Sequence, residues 1–132
     1  DKVLYLVRDR LGIKPLYWTF QKNTLFFASE LKALKAHKDV CTTIDQKALA
    51  TYLNQGYIHA PYSIYKDIYK LPQGHILTYR MGLDPVIEAY WKLENIIIPK
   101  KRELSPEEAV EELHHLLKDA VGRRMMADVP LG

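Results

Sequence analysis

The hydrophobic pattern opens with an unbroken apolar run, Val3 to Val7, which predicts a short strand covered on both faces. A polar turn follows, Arg8-Asp9-Arg10-Leu11-Gly12. Pro15 introduces a second strand over Leu16 to Phe20. Gln21 to Thr24 reads as a hairpin connection in which Asn23 tolerates left-handed geometry, and Leu25 to Ala28 returns as a third strand. Three short strands in succession predict an antiparallel part of one sheet. Ser29 is the expected cap of a short helix from Glu30 to Lys35, with Leu31 and Leu34 on its apolar side. A second helix is predicted over Lys47 to Asn54, capped by Asp45, closed at Gly56, and apolar along Leu49, Tyr52 and Leu53. Prolines 61 and 72 and a run of tyrosines mark Tyr57 to Gly74 as a packed loop with short extended pieces. His75 to Arg80 is strand-like, Met81 to Pro85 a turn, and Val86 to Leu93 extended.

The strongest local pattern lies further on. Ser105-Pro106-Glu107-Glu108 supplies an N-cap serine, a proline at the first helical position and a glutamate at the third, which together form a capping box. Ala109, Val110, Leu113, Leu116, Leu117, Ala120, Val121 and Met125 continue it as an apolar stripe at helical period. The helix is expected to end near Ala127, because Pro130 restricts Val129. The whole predicts an α+β chain in three parts: a mixed unit over 1–80, a connection over 81–103, and the first helix of a further unit over 104–132. Apolar residues at both ends lead us to expect a segment of a longer protein.

Composition narrows the class. The chain has 132 residues, 48% hydrophobic and 27% charged, which predicts a folded chain rather than a disordered one. Its longest apolar runs are far shorter than the roughly 20 residues that span a bilayer, so no membrane association is expected. The net charge of +3 comes from interspersed basic and acidic residues, without the broad basic stripe that nucleic-acid binding requires. Cys41 is the single cysteine; it excludes an internal disulfide and a thiolate metal cluster, and fits a reducing, cytoplasmic setting.

Reaction chemistry is sparse. Cys41 has His37 as its nearby base, but a working pair needs contact in space; an ordinary thiol is the simpler reading. His37, His59, His75, His114 and His115 are scattered, and the adjacent last two point about 100° apart on a helix, without metal-ligand spacing. The turn Arg8 to Pro15 is architectural: Asp9 is placed to accept backbone N–H groups, Gly12 permits a positive φ, and Arg8 is placed to pair with a carboxylate such as Glu30.

Read together, Arg8-Asp9-Arg10-Leu11-Gly12-Ile13-Lys14-Pro15-Leu16-Tyr17 and Phe27-Ala28-Ser29-Glu30-Leu31-Lys32-Ala33-Leu34 resemble the latter half of a class II glutamine amidotransferase domain. The stretch Tyr52 to Ile58, then Ala60-Pro61 and Ile64 to His75, resembles the bridge of glutamine-hydrolysing asparagine synthetases. Val121 to Gly132 is similar to the run that leads into that family's pyrophosphate loop.

The resemblance implies the latter part of an N-terminal-nucleophile hydrolase αββα sandwich, a linker, and the first helix of an α/β synthetase domain. It implies a parent that hydrolyses glutamine, channels ammonia, and activates aspartate with ATP and Mg2+ as β-aspartyl-AMP. A homodimer is compatible with it. Arg8, Asp9, Gly12, Pro15, Ser29 and Glu30 would support the glutaminase sheets. Asp128, Val129, Pro130, Leu131 and Gly132 would approach the ATP site, and Leu16 and Trp18 are candidates for the channel wall. No catalytic, cofactor-binding or metal-ligating residue is assigned to this segment, because the nucleophile cysteine and the ATP loop are expected outside it. The alternatives are an amidotransferase with another acceptor and a non-catalytic scaffold or binding module.

Overall fold

The computed structural model describes residues 2–96 and 103–125. The chain divides into two compact units, Asp1–Ile97 and Ile98–Gly132. In the first, β1 (Val3–Val7), β2 (Tyr17–Gln21) and β3 (Thr24–Ala28) are followed by helices α1 (Leu31–Lys35) and α2 (Gln46–Gln55). Then come β4 (Tyr69–Lys70), β5 (His75–Arg80), β6 (Val86–Ala89) and a 3-10 turn at Leu93–Asn95. This is a mixed α+β fold whose strands pair antiparallel throughout the described sheets.

The strands form two three-stranded sheets, ordered β1-β5-β6 and β3-β2-β4. The single sheet expected from three successive strands is therefore corrected. β1 pairs with β5, Leu6 opposite Leu77, while β2 and β3 form a hairpin in the other sheet. Lys22 and Asn23 both take positive φ, 50° and 59°, the geometry of a two-residue turn whose twist suits its flanking strands.

Strand alternation then assigns the layers. Leu6 and Leu77 of the first sheet meet Leu71, with Leu16, Trp18, Leu25 and Tyr79 packed around them. On the other face of the second sheet, Tyr17, Phe26 and Ala28 pack against Leu34, Val40 and Ile68. Thr19 is fully buried among apolar neighbours; its hydroxyl donates to Asp67 O at 2.6 Å and accepts from Gln21 Nε2 at 3.0 Å. The second sheet is thus covered on both faces and the first on one. Tyr5 and Val7 remain 60% and 54% exposed, so β1 is not enclosed on both sides by the described residues, against the expectation from its unbroken apolar run.

Two helices differ from their sequence patterns. Glu30, not Ser29, occupies the N-cap of α1 and makes no side-chain cap bond. Asp45 does cap α2, accepting from Lys47 N and Ala48 N, yet Ala48 is its buried residue while Tyr52 and Leu53 face solvent. The first unit also reaches past residue 80, because β6 joins β5.

In the second unit, α3 (Pro106–Gly122) carries the full capping box: Ser105 Oγ accepts from Glu108 N at 3.2 Å and Glu108 Oε2 accepts from Ser105 N at 2.9 Å. The helix stops at Gly122, earlier than Ala127. Accepting the Ser105 N–H holds the Glu108 carboxyl below its usual range. A depressed folded-state pKa means that this contribution is complete above the ordinary glutamate value and is lost as pH falls through the lower folded value. Acid titration followed by far-UV circular dichroism should therefore show helix loss at low pH that Glu108→Gln abolishes, since the amide also caps. Ser105→Ala should destabilise α3 by about 1 kcal/mol. Acid titrations of native and Glu108→Gln protein that superimpose would refute the assignment.

Candidate functional site

The first unit is organised around the turn that carries the chain from one sheet to the other. Arg8 follows β1, and its N–H donates to His75 O at 3.1 Å. Its guanidinium then reaches three backbone carbonyls: Leu71 at 2.7 Å, Gly12 at 3.0 Å and Lys14 at 3.1 Å. The carboxylate pairing expected with Glu30 is corrected, because Glu30 is exposed and pairs with Lys32 at 2.7 Å. A planar fork of donors suits such a role, since it ties separate chain segments in fixed geometry.

Asp9 completes the turn. Its carboxylate accepts from Ile13 N at 2.9 Å and Lys14 N at 3.3 Å, and these bonds, with Ile13 first, hold its pKa below the usual range. Asp9 O accepts both Gly12 N and Gly74 N. Gly12 takes φ +69°, and a Cβ there would stand 3.0 Å from Arg8 Nη2 and 3.1 Å from Gln73 Cβ. The positive φ favours glycine, and a Cβ there would make Arg8 and Gln73 give way by a few tenths of an ångström.

Pro15 is exposed and leads into Leu16 and Trp18, which join the inter-sheet core. Trp18 stacks at a tilt on Tyr69, 5.4 Å between centroids, and its Nε1 is buried without a hydrogen-bond partner. Lys70, beside Tyr69 on β4, is half-buried; its ammonium donates to Ile58 O, and burial, then Arg8, lowers its pKa. Ser29 stands exposed before α1. Asp128, Val129, Pro130, Leu131 and Gly132 lie outside the described residues.

A cleft of about 650 Å³ opens beside this turn, lined by Gln73, His75, Trp91, Lys92 and Glu94 among others. His75 Nδ1 lies 2.7 Å from Gln73 O, and Trp91 Nε1 is buried without a partner. Pattern reading missed this cleft, and the one sequence clue to it is the pair Tyr90-Trp91 closing an extended run.

Cys41 is exposed, with Sγ 3.3 Å from Thr43 Oγ1. That bond leads the causes that lower its thiol pKa. His37 is engaged elsewhere, accepting from Asp39 N at 3.3 Å, so the described contacts form no cysteine–histidine pair. Among the described residues, no group of three or more His, Cys, Asp or Glu side chains is arranged to hold a metal ion. No helix among them is long and apolar enough to cross a membrane.

Comparison with known proteins places this unit in a family. Residues 1–91 match the model of the glutamine amidotransferase domain. The chain is 36% identical to a protein of Methanocaldococcus jannaschii named as a glutamine-hydrolysing asparagine synthetase, over 98% of this chain and 25% of that protein. It is 34% identical to asparagine synthetase (glutamine-hydrolysing) 3 of Bacillus subtilis, over 98% of this chain and 20% of the relative. It is 30% identical to the amidase chry2 of Gibberella zeae, over 97% of this chain and 18% of the relative. The chain thus spans a quarter or less of the length of these relatives. It belongs to the class II glutamine amidotransferase domain family and is homologous to glutamine-hydrolysing asparagine synthetases.

Proposed function

We propose that this chain is the middle of an enzyme that converts aspartate, ATP and glutamine to asparagine, AMP, pyrophosphate and glutamate. The carrying observation is the extent of the likeness: the amidotransferase match ends at residue 91, whereas similarity to the synthetases covers 98% of the chain. On this reading the two sheets are the latter part of an N-terminal-nucleophile hydrolase sandwich, and α3 begins an ATP-dependent synthetase domain.

Glutamine hydrolysis releases ammonia, which must reach an activated β-carboxyl as free NH3, because ammonium has no lone pair to attack with. A path walled by apolar side chains prevents that protonation. Leu16 and Trp18, packed between the sheets, are our candidates for part of its wall. Arg8, Asp9, Gly12 and Pro15 hold the turn that places them, and Ser29 and Glu30 mark the start of α1. On this reading ATP and Mg2+ belong to the parent enzyme, and Asp128 to Gly132 approach its ATP site. We propose the segment itself to be inactive, and the parent to be a cytoplasmic enzyme, with a homodimer as its assembly.

The test is to supply the full-length protein with glutamine, aspartate, ATP and Mg2+ and to measure asparagine and glutamate. Asparagine formed in step with glutamate is the expected result. Glutamate release with no asparagine, but with an amide formed on another carboxylic acid, would overturn the acceptor in favour of a related amidotransferase. Neither product at all would favour a non-catalytic scaffold.

A further inference from the structure

We propose that Tyr90 and Trp91 form a strap that latches the end of the first unit onto the Arg8–Gly12 turn, so that turn, strap and the Leu71–His75 segment open and close as one cooperative element. The bonds that join them are few and shared. Tyr90 Oη donates to Arg8 O at 2.9 Å, across 82 residues of sequence. Gly74 O accepts two N–H groups, Tyr90 at 2.8 Å and Trp91 at 3.1 Å. Gly74 N in turn donates at 3.0 Å to Asp9 O, which also receives Gly12 N at 3.1 Å. Arg8 closes the circuit through Leu71 O and Gly12 O.

Asp9 O holds donors of both the turn and the Gly74 segment, and Gly74 O holds two donors of the strap, so the Gly74 segment cannot leave without unpairing donors on both sides of it. Tyr90 is 44% exposed, so its hydroxyl exchanges this bond for water when the strap opens, and the bond ties the segments by the modest net difference between the two. The latch is also releasable. Trp91 Nε1 stays buried and unpartnered, a standing penalty that opening relieves. Trp91 lies shortly before the boundary between the two units at Ile97 and Ile98. Movement of the strap would move the residues directly after Trp91, and its use as a relay between glutamine hydrolysis and amide synthesis rests on the function proposed above.

The experiment is hydrogen–deuterium exchange on the full-length protein and its Tyr90→Phe variant, with Tyr52→Phe on the exposed face of α2 as the control. Loss of the one bond should speed exchange about fivefold in the peptides carrying Gly12, Gly74 and Trp91 together, leaving the β2–β3 hairpin unchanged. Tyr52→Phe should change none of them. Acceleration confined to Tyr90 and Trp91, or none, overturns the latch. The same variant should release more glutamate per amide formed than the native protein. An unchanged ratio with accelerated exchange overturns the relay while leaving the latch. Formation of an amide other than asparagine would overturn the function proposed above and leave the exchange result intact.

Discussion

Gly74→Ala should destabilise the first unit by about 4 kcal/mol, read by urea denaturation with tryptophan fluorescence. Gly74 is buried at φ +68°, and a Cβ there would collide with the Trp91 carbonyl oxygen, which is backbone and cannot rotate aside. The left-handed conformation alone adds about 1–2 kcal/mol for a residue with a Cβ. Relief of the collision requires Tyr90 and Trp91 to move away. That movement breaks their two bonds to Gly74 O and the Tyr90 bond to Arg8 O, at about 1 kcal/mol each. Gly82→Ala separates the two effects, because Gly82 has φ +83° with nothing within 4 Å; its cost should be about 1–2 kcal/mol. Equal costs at the two positions would show that Trp91 is not packed on Gly74. A loss of about 4 kcal/mol is large against the 5–15 kcal/mol by which domains are stable.

Arg8→Ala should cost about 3 kcal/mol in the same measurement. The substitution leaves the carbonyls of Leu71, Gly12 and Lys14 without the guanidinium. A hydrogen bond to a charged group contributes about 1.5–3 kcal/mol, but the three act as a unit and the side chain is only half-buried, so their sum overstates the loss. Arg8→Lys separates charge from shape. A single ammonium cannot span three carbonyls on two segments, so it should recover less than half of the stability. Full recovery by lysine would mean that the positive charge, and not the fork, holds the turn. Glu30→Ala gives a further check, since Arg8 has no bond to it and Glu30 pairs with exposed Lys32; an exposed pair of this kind contributes little.

Much of this architecture was legible because it is local. The hairpin at Lys22–Asn23, the Asp45 cap of α2 and the capping box at Ser105 each depend on residues within a few positions of one another. Side-chain oxygens and backbone N–H groups so close in sequence meet whatever the rest of the chain does. Asp9 is of the same kind: its bonds to Ile13 N and Lys14 N span four and five residues. Ser29 shows where local reading fails, because the chain turns helical one residue later and gives the N-cap to Glu30.

What sequence alone determined is therefore the set of short-range structures and, through matched motifs, the amidotransferase family. What only the tertiary structure decided is which of those pieces meet. The apolar run of β1 does not say that its partner is β5, as in Leu6 opposite Leu77, nor that the described residues leave one of its faces open. Arg8 reads equally well as the partner of a carboxylate or of carbonyls, since a guanidinium donates to both. Its choice was made by Leu71, 63 residues distant. Tyr90 and Trp91 read as the end of a strand until Gly74 and Arg8 are seen beneath them. The physical reason is common to all three: an N–H or an apolar face specifies the kind of partner it needs, while chain topology selects which one arrives.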